Sequence, residues 1–170
     1  MDFNLEQKYI EIQQEALDLC RSIEHLADEA DASSVIHPGI LKALQQSNLS
    51  DLMVPAKYGG RFATIDPLAI CVVREAMMAT SSHLDSLFAL QGIGSYGITV
   101  AGSEEQRQQW LPQVAAAQAL PSLGLSEPVA GSDLKSIVTE ITSVDGGLRL
   151  NGAKSWISNA GASDFYEVFA

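Results

Sequence analysis

Basic residues are scarce in this chain: 10 lysines and arginines stand against 21 aspartates and glutamates, a formal net charge of -11 at pH 7. Phosphate backbones are held by clustered Lys and Arg, and these are scattered, so the sequence argues against nucleic acid as a partner. Cysteine is nearly missing. Cys20 and Cys71 lie in helical-looking stretches without CxxC spacing, which reads as two buried free thiols and not as a disulfide or metal framework. His25, His37 and His83 stand alone, with no HExxH or paired spacing, and read as structural or surface histidines. There is no GxSxG elbow and no Walker A segment, which weighs against hydrolysis and phosphoryl transfer. No run reaches the roughly 18 apolar residues of a membrane span. The opening Met1-Asp2-Phe3-Asn4-Leu5-Glu6 has neither a basic start leading into an apolar run nor an Arg-rich transit character. A cytoplasmic protein with no membrane span is expected.

What is present is enough apolar material for a core. Hydrophobic residues make up 46% of the 170, which suits one domain or one domain plus part of another. Ile12, Leu19, Ile23, Leu26 and Ala27 predict a helix over residues 5–30, and Ile40, Leu41 and Leu44 a second over 39–48. Val54-Pro55 through Gly59-Gly60 breaks the period as a loop does. Asp66-Pro67 reads as an N-cap with proline at the first helical position, starting a helix through about Met78. Residues 84–100 are almost uncharged and predict one buried helix. Ser103-Glu104-Glu105-Gln106 has capping-box spacing, and Pro112 is expected to kink or end the helix that follows.

After residue 119 the pattern changes. Ile137, Thr139, Ile141 and Ser143 alternate as a strand, Val144-Asp145-Gly146-Gly147 signals a hairpin, and Leu148-Arg149-Leu150 returns antiparallel. Residues 154–158 and 165–170 are further strand candidates. The expected fold class is α+β: an all-α N-terminal helical domain over 1–119, then a truncated antiparallel β domain over 120–170. A few short strands closing on an apolar run would leave an exposed edge, so the chain reads as unfinished.

Gly92-Ile93-Gly94-Ser95-Tyr96-Gly97 spells GxGxxG, but no strand precedes it. It lies in an apolar helical run, so close packing through small residues explains it better than a dinucleotide site. Ser126-Glu127-Pro128-Val129-Ala130-Gly131-Ser132-Asp133 is dense in hydroxyls, carboxylates and a glycine backbone, stiffened by proline. Trp156-Ile157-Ser158-Asn159 places an aromatic face beside another hydroxyl. Each has an ordinary reading, a linking turn for the first and a strand with a buried tryptophan for the second. Together they suit a planar, polar-edged aromatic ligand.

Leu125-Ser126-Glu127-Pro128-Val129-Ala130-Gly131-Ser132-Asp133, then Leu150-Asn151-Gly152-Ala153-Lys154-Ser155-Trp156-Ile157-Ser158-Asn159, then Ala162-Ser163-Asp164, closely resembles the acyl-CoA dehydrogenase family. Val54-Pro55 through Tyr58-Gly59-Gly60 resembles the family's loop, and Gly102-Ser103-Glu104-Glu105-Gln106 through Trp110-Leu111-Pro112 its helix, so the resemblance covers nearly the whole chain. It implies a helical domain, a middle β domain and a C-terminal helical bundle, with FAD between the last two, and a dimer or tetramer of identical chains. It assigns flavin contact to Leu123, Leu125, Ser126, Gly131, Ser132, Trp156, Ile157 and Ser158, and gives Ser132 a place near the thioester of the substrate. Serine hydroxyls can donate to flavin edge atoms and Trp156 can pack on the ring system. The family has threonine where this chain has Ser126 and Ser158, which keeps the hydroxyl and loses rotamer restriction.

The implied reaction is α,β-dehydrogenation of an acyl thioester, on CoA or an acyl carrier protein, with hydride passing to FAD and electrons onward to an electron-transfer flavoprotein or other acceptor. The family's base is a glutamate of the C-terminal bundle, and the chain matches less than half of a typical member. No catalytic residue is therefore assigned, and Glu127, a loop residue of the motif, is not expected to stand in. The chain alone is expected to bind flavin weakly or not at all and to be inactive. The alternatives are a flavin monooxygenase on the same scaffold and a non-catalytic remnant or subunit.

Overall fold

A computed structural model of the chain describes residues 4–170. The reading of the N-terminus as free of a targeting signal therefore falls partly outside the described residues.

Helix α1 (Gln7–Asp31) buries Ile12, Ala16, Leu19, Ile23, Ala27 and Ala30. Their three- and four-residue spacing puts them on one stripe, which packs against α2 (Pro38–Ser47) and α3 (Pro67–Thr80). His37 caps α2, its Nδ1 accepting from the Ile40 amide at 3.3 Å. The predicted loop contains two 3₁₀ turns, Leu49–Met53 and Ala56–Tyr58. Arg61 ties it to its surroundings, with Nε 3.1 Å from Asp51 and Nη1 2.9 Å from Glu15. Asp66 caps α3 through the Leu68 and Ala69 amides, with Pro67 behind it as expected.

The predicted single helix over 84–100 is two helices, α4 (Ser82–Ile93) and α5 (Tyr96–Ala101). They part at Gly94, which lies against the first strand: a Cβ there would stand 2.9 Å from the Pro121 Cβ and 3.1 Å from the Ser122 nitrogen. The GxGxxG stretch is thus a packing seam, with Gly92 against Met53 and Gly97 against the Glu167 carboxylate. Helix α6 (Glu104–Ala115) opens on both halves of the capping box. It runs three residues past Pro112, so of the two expected effects the proline does not end the helix at its own position. Losing one helical bond costs about 3 kcal/mol. Burying Val114 beyond the proline returns about 1.5–3 kcal/mol. Of the two thiols, Cys20 is buried, but Cys71 is exposed, a correction to the sequence reading.

The β region holds β1 (Pro121–Gly124), β2 (Glu140–Val144), β3 (Gly147–Asn151) and β4 (Phe165–Val168). The β2–β3 hairpin is antiparallel and turns where expected. The purely antiparallel expectation fails for the second pair: β1, which carried no strand signal, pairs in parallel with β4, Pro121 opposite Phe165 and Gly124 opposite Val168. Residues 154–158 form no strand. Trp156 there has φ 61°, the left-handed region, which breaks extended backbone. The β region docks on the helices through Phe165, whose ring centroid is 4.7 Å from that of Trp110. Glu167 adds to this by accepting the Gly97 and Ile98 amides at 3.1 and 2.8 Å. No described helix is long and apolar enough to cross a membrane.

Candidate functional site

The two segments singled out in the sequence are joined by a buried knot. Loop 125–130 closes on itself, the Glu127 amide donating to the Ala130 carbonyl at 2.7 Å. The Glu127 side chain turns inward, fully buried. Its Oε2 accepts the Val138 amide at 2.8 Å. Its Oε1 accepts the Thr139 amide at 2.9 Å, the Lys154 ammonium at 2.9 Å and the Thr139 hydroxyl. Lys154 Nζ also donates to the Leu125 carbonyl at 3.1 Å, and the Ser155 amide to the Ser126 carbonyl at 3.0 Å. The Thr139 hydroxyl, the Val138 amide and Lys154 together hold the Glu127 carboxyl down at about 2, well below the ordinary range. Buried, with four hydrogen bonds and its carboxyl held low, it is poorly placed to take a substrate proton, as the sequence reading expects.

The predicted flavin-contact residues do not share one hollow. Leu125 and Ser126 are half-buried in the clamped loop, and Ser126 offers an N–H and a hydroxyl with no partner among the described residues. Gly131 and Ser132 are exposed just beyond, and a Cβ on Gly131 would meet nothing within 4 Å. Trp156 is 93% exposed. Ser155 beside it has a buried hydroxyl with no partner. Ile157 and Ser158 line a cavity of about 530 Å³, of mixed polar and apolar lining, with Ser33, Ile36, His83 and Ser86. The Ser158 carbonyl accepts from the Ser122 hydroxyl. Leu123 faces elsewhere again, into an apolar cavity of about 540 Å³ between α3, α4, α5 and the parallel strands. Clamped loop, free indole and apolar cavity together form an open wall and not a closed pocket.

Sequence reasoning missed that apolar cavity. Met53, Ile70, Ile93, Tyr96, Val100 and Phe169 line it with Leu123, and they come from five separate stretches of chain. Two charged side chains reach it, and both are already engaged: Arg74 holds Asp85 bidentately at 2.8 and 2.7 Å, and Glu167 caps α5. The cavity therefore presents itself to a ligand as mainly apolar. The parts of Glu127, Thr139 and Lys154 were missed too. Both Glu127 and Lys154 lie in the motifs that carry the resemblance, but nothing in the sequence pairs them with each other or with Thr139.

Residues 7–118 match the family described as acyl-CoA dehydrogenase, N-terminal domain, and residues 122–170 its middle domain. Over 144 residues the chain is 37% identical to the probable acyl-CoA dehydrogenase FadE25 of Mycobacterium tuberculosis, covering 85% of this chain and 36% of that protein. It therefore spans about a third of the length of such relatives. The butyryl-CoA dehydrogenase of Megasphaera elsdenii superposes with a TM-score of 0.88 at 27% identity, over 100% of this chain and 45% of that one. A glutaryl-CoA dehydrogenase from Mycobacterium smegmatis, in complex with FADH2, superposes with a TM-score of 0.84 at 25% identity, over 94% and 41%.

Proposed function

The chain belongs to the acyl-CoA dehydrogenase family, and from that membership we propose that it supplies the helical part and the flavin-facing wall of an FAD-dependent oxidoreductase that dehydrogenates acyl thioesters. The observation that carries this reading is Trp156. An indole 93% exposed, on backbone at φ 61°, is costly to hold uncovered, yet both residues before it are bonded to loop 125–127. A flat aromatic partner laid on the indole repays that cost. The residues present fit FAD: an uncovered aromatic face, the unpartnered Ser126 N–H and hydroxyl, the orphaned Ser155 hydroxyl and open space at Gly131.

In this reading Trp156 packs against the isoalloxazine, and Ser126, with Ser158 where its hydroxyl reaches, donates to its polar edge. Leu123, Leu125, Gly131, Ser132 and Ile157 complete the wall. FAD held on this wall would supply the acceptor for the hydride leaving the acyl β carbon. Ser132 sits toward the thioester end, and the apolar cavity behind Leu123 takes the acyl chain and keeps water from it. We assign the base that removes the α proton to none of these 170 residues. The division between helical and β parts falls at 119–120. The acyl carrier is CoA or an acyl carrier protein, the electron acceptor an electron-transfer flavoprotein or another acceptor, the setting cytoplasmic and the assembly a homo-oligomer.

Anaerobic titration with acyl-CoA thioesters tests this, on flavin-loaded protein supplied with a C-terminal helical bundle that carries the base. Bleaching of the oxidised-flavin band by a thioester, with none by the matching free acid, is expected. A protein that retains flavin and stays yellow with every acyl thioester would sink the dehydrogenase reading.

A further inference from the structure

Lys154 lies at the centre of the buried knot, its side chain 12% exposed against 0% for Glu127. It is not among the residues expected to touch flavin, yet both expected segments hang on it. Its ammonium donates to the Leu125 carbonyl at 3.1 Å and to Glu127 Oε1 at 2.9 Å. The next residue donates its amide to Ser126, and the one after is Trp156. Gly152, two residues earlier, leaves no space for a side chain, since a Cβ would stand 2.2 Å from Thr139 Oγ1. Loop 125–130, residues 138–139 and residues 152–155 are therefore one bonded unit.

The Leu125 carbonyl and the Ser126 N–H belong to the same peptide group. A cation on the carbonyl oxygen draws electron density toward it and makes the N–H on that peptide a stronger donor. That N–H has no partner within the described residues. We infer that Lys154 is a positioning residue of the flavin wall: with Glu127 it locks the Ser126 loop to the Trp156 segment, and its charge, passed through the Leu125–Ser126 peptide, strengthens the Ser126 N–H as a donor to the flavin. Reduced flavin carries more electron density at its polar edge than oxidised flavin. A strengthened donor therefore favours the reduced form. This inference rests on the flavin reading of the same wall.

Two measurements on Lys154→Met test it. Without flavin, the bonded amides of Glu127, Ala130 and Ser155 are expected to exchange at least tenfold faster than in the wild type, while those of α1 and α3 keep their protection. In the flavin-loaded protein, the preference for reduced over oxidised flavin is expected to fall about tenfold, a potential about 30 mV more negative for a two-electron couple. Lys154→Arg, which keeps the charge, is expected to restore the potential, a result that a purely mechanical latch does not predict. If Lys154→Met does not fold, Lys154→Gln keeps a donor near the Leu125 carbonyl without the charge and reads the same shift. A folded, flavin-bearing Lys154→Met or Lys154→Gln protein with the wild-type potential overturns the inference alone. A wild-type protein that retains no flavin even when supplied with a C-terminal helical bundle overturns the flavin reading and this inference with it.

Discussion

Gly60 has no room for a side chain: a Cβ there would stand 1.5 Å from the Val54 carbonyl oxygen and 2.9 Å from that of Asp51. Both obstacles are backbone, so neither can rotate aside. Gly60→Ala is expected to cost about 3 kcal/mol through displacement of the 3₁₀ turns, read as a lower urea midpoint. An unchanged midpoint would show that the loop yields freely. Glu127 carries the second prediction at this scale. The folded protein holds its carboxyl at about 2 against an ordinary 4.5, so the unfolded chain takes up the proton first as pH falls. The stabilisation is complete above 4.5 and drains away toward 2. The Glu127 and Ala130 amides are therefore expected to keep slow exchange down to pH 4.5, at which an ordinary carboxyl is already half protonated. Loss of that protection well above 4.5 would contradict the buried clamp.

At the scale of elements, α1, α2 and α4 meet at a polar junction. Asp31 accepts the Ser82 and His83 amides at 3.0 Å each, and the His37 amide donates to His83 Nε2 at 3.0 Å. His37 Nε2 lies 3.7 Å from Glu29. The bond to Nε2 requires neutral His83, and burial pushes that imidazole below its ordinary 6.5, outweighing the Asp31 charge that pulls it up. A base with a depressed folded pKa favours the unfolded chain once protonation begins. Its contribution is whole above 6.5 and shrinks as pH falls through the folded value. Thermal midpoints are expected to decline on the acid side of 6.5 in the wild type, and less steeply in His83→Gln. Parallel profiles for the two proteins would remove His83 from the account.

For the whole molecule, the core belongs to the helices. The buried cluster runs from Tyr9 to Leu120, and among the described residues Phe165 is the one β-region side chain packed against it. Every residue of β2 and β3 is exposed, and an unsupported two-stranded hairpin is marginal in water. Phe88, fully buried in α4, is expected to cost about 3–5 kcal/mol when cut to alanine. Hairpin amides are expected to exchange fast in the wild type, long before those of α1 and α3. A hairpin as protected as α1 in this chain would show support that its exposure does not reveal.

The sequence by itself determined what depends on near neighbours. The Asp66-Pro67 cap, the Ser103–Gln106 box, the α1 stripe and the 144–147 turn each use bonds or periods within a few residues, so their chemistry is complete in the local string. The ordered motifs around Ser126 and Trp156 identified the family for the same reason. Tertiary structure decided what depends on residues far apart in the chain. Strand β1 exists because it pairs with β4, 44 residues away at Pro121 and Phe165. The break between α4 and α5 exists because β1 presses on Gly94. Glu127 and Lys154 acquired their part only when 127, 139 and 154 met inside one knot. A buried charge is set by partners that no local pattern can name.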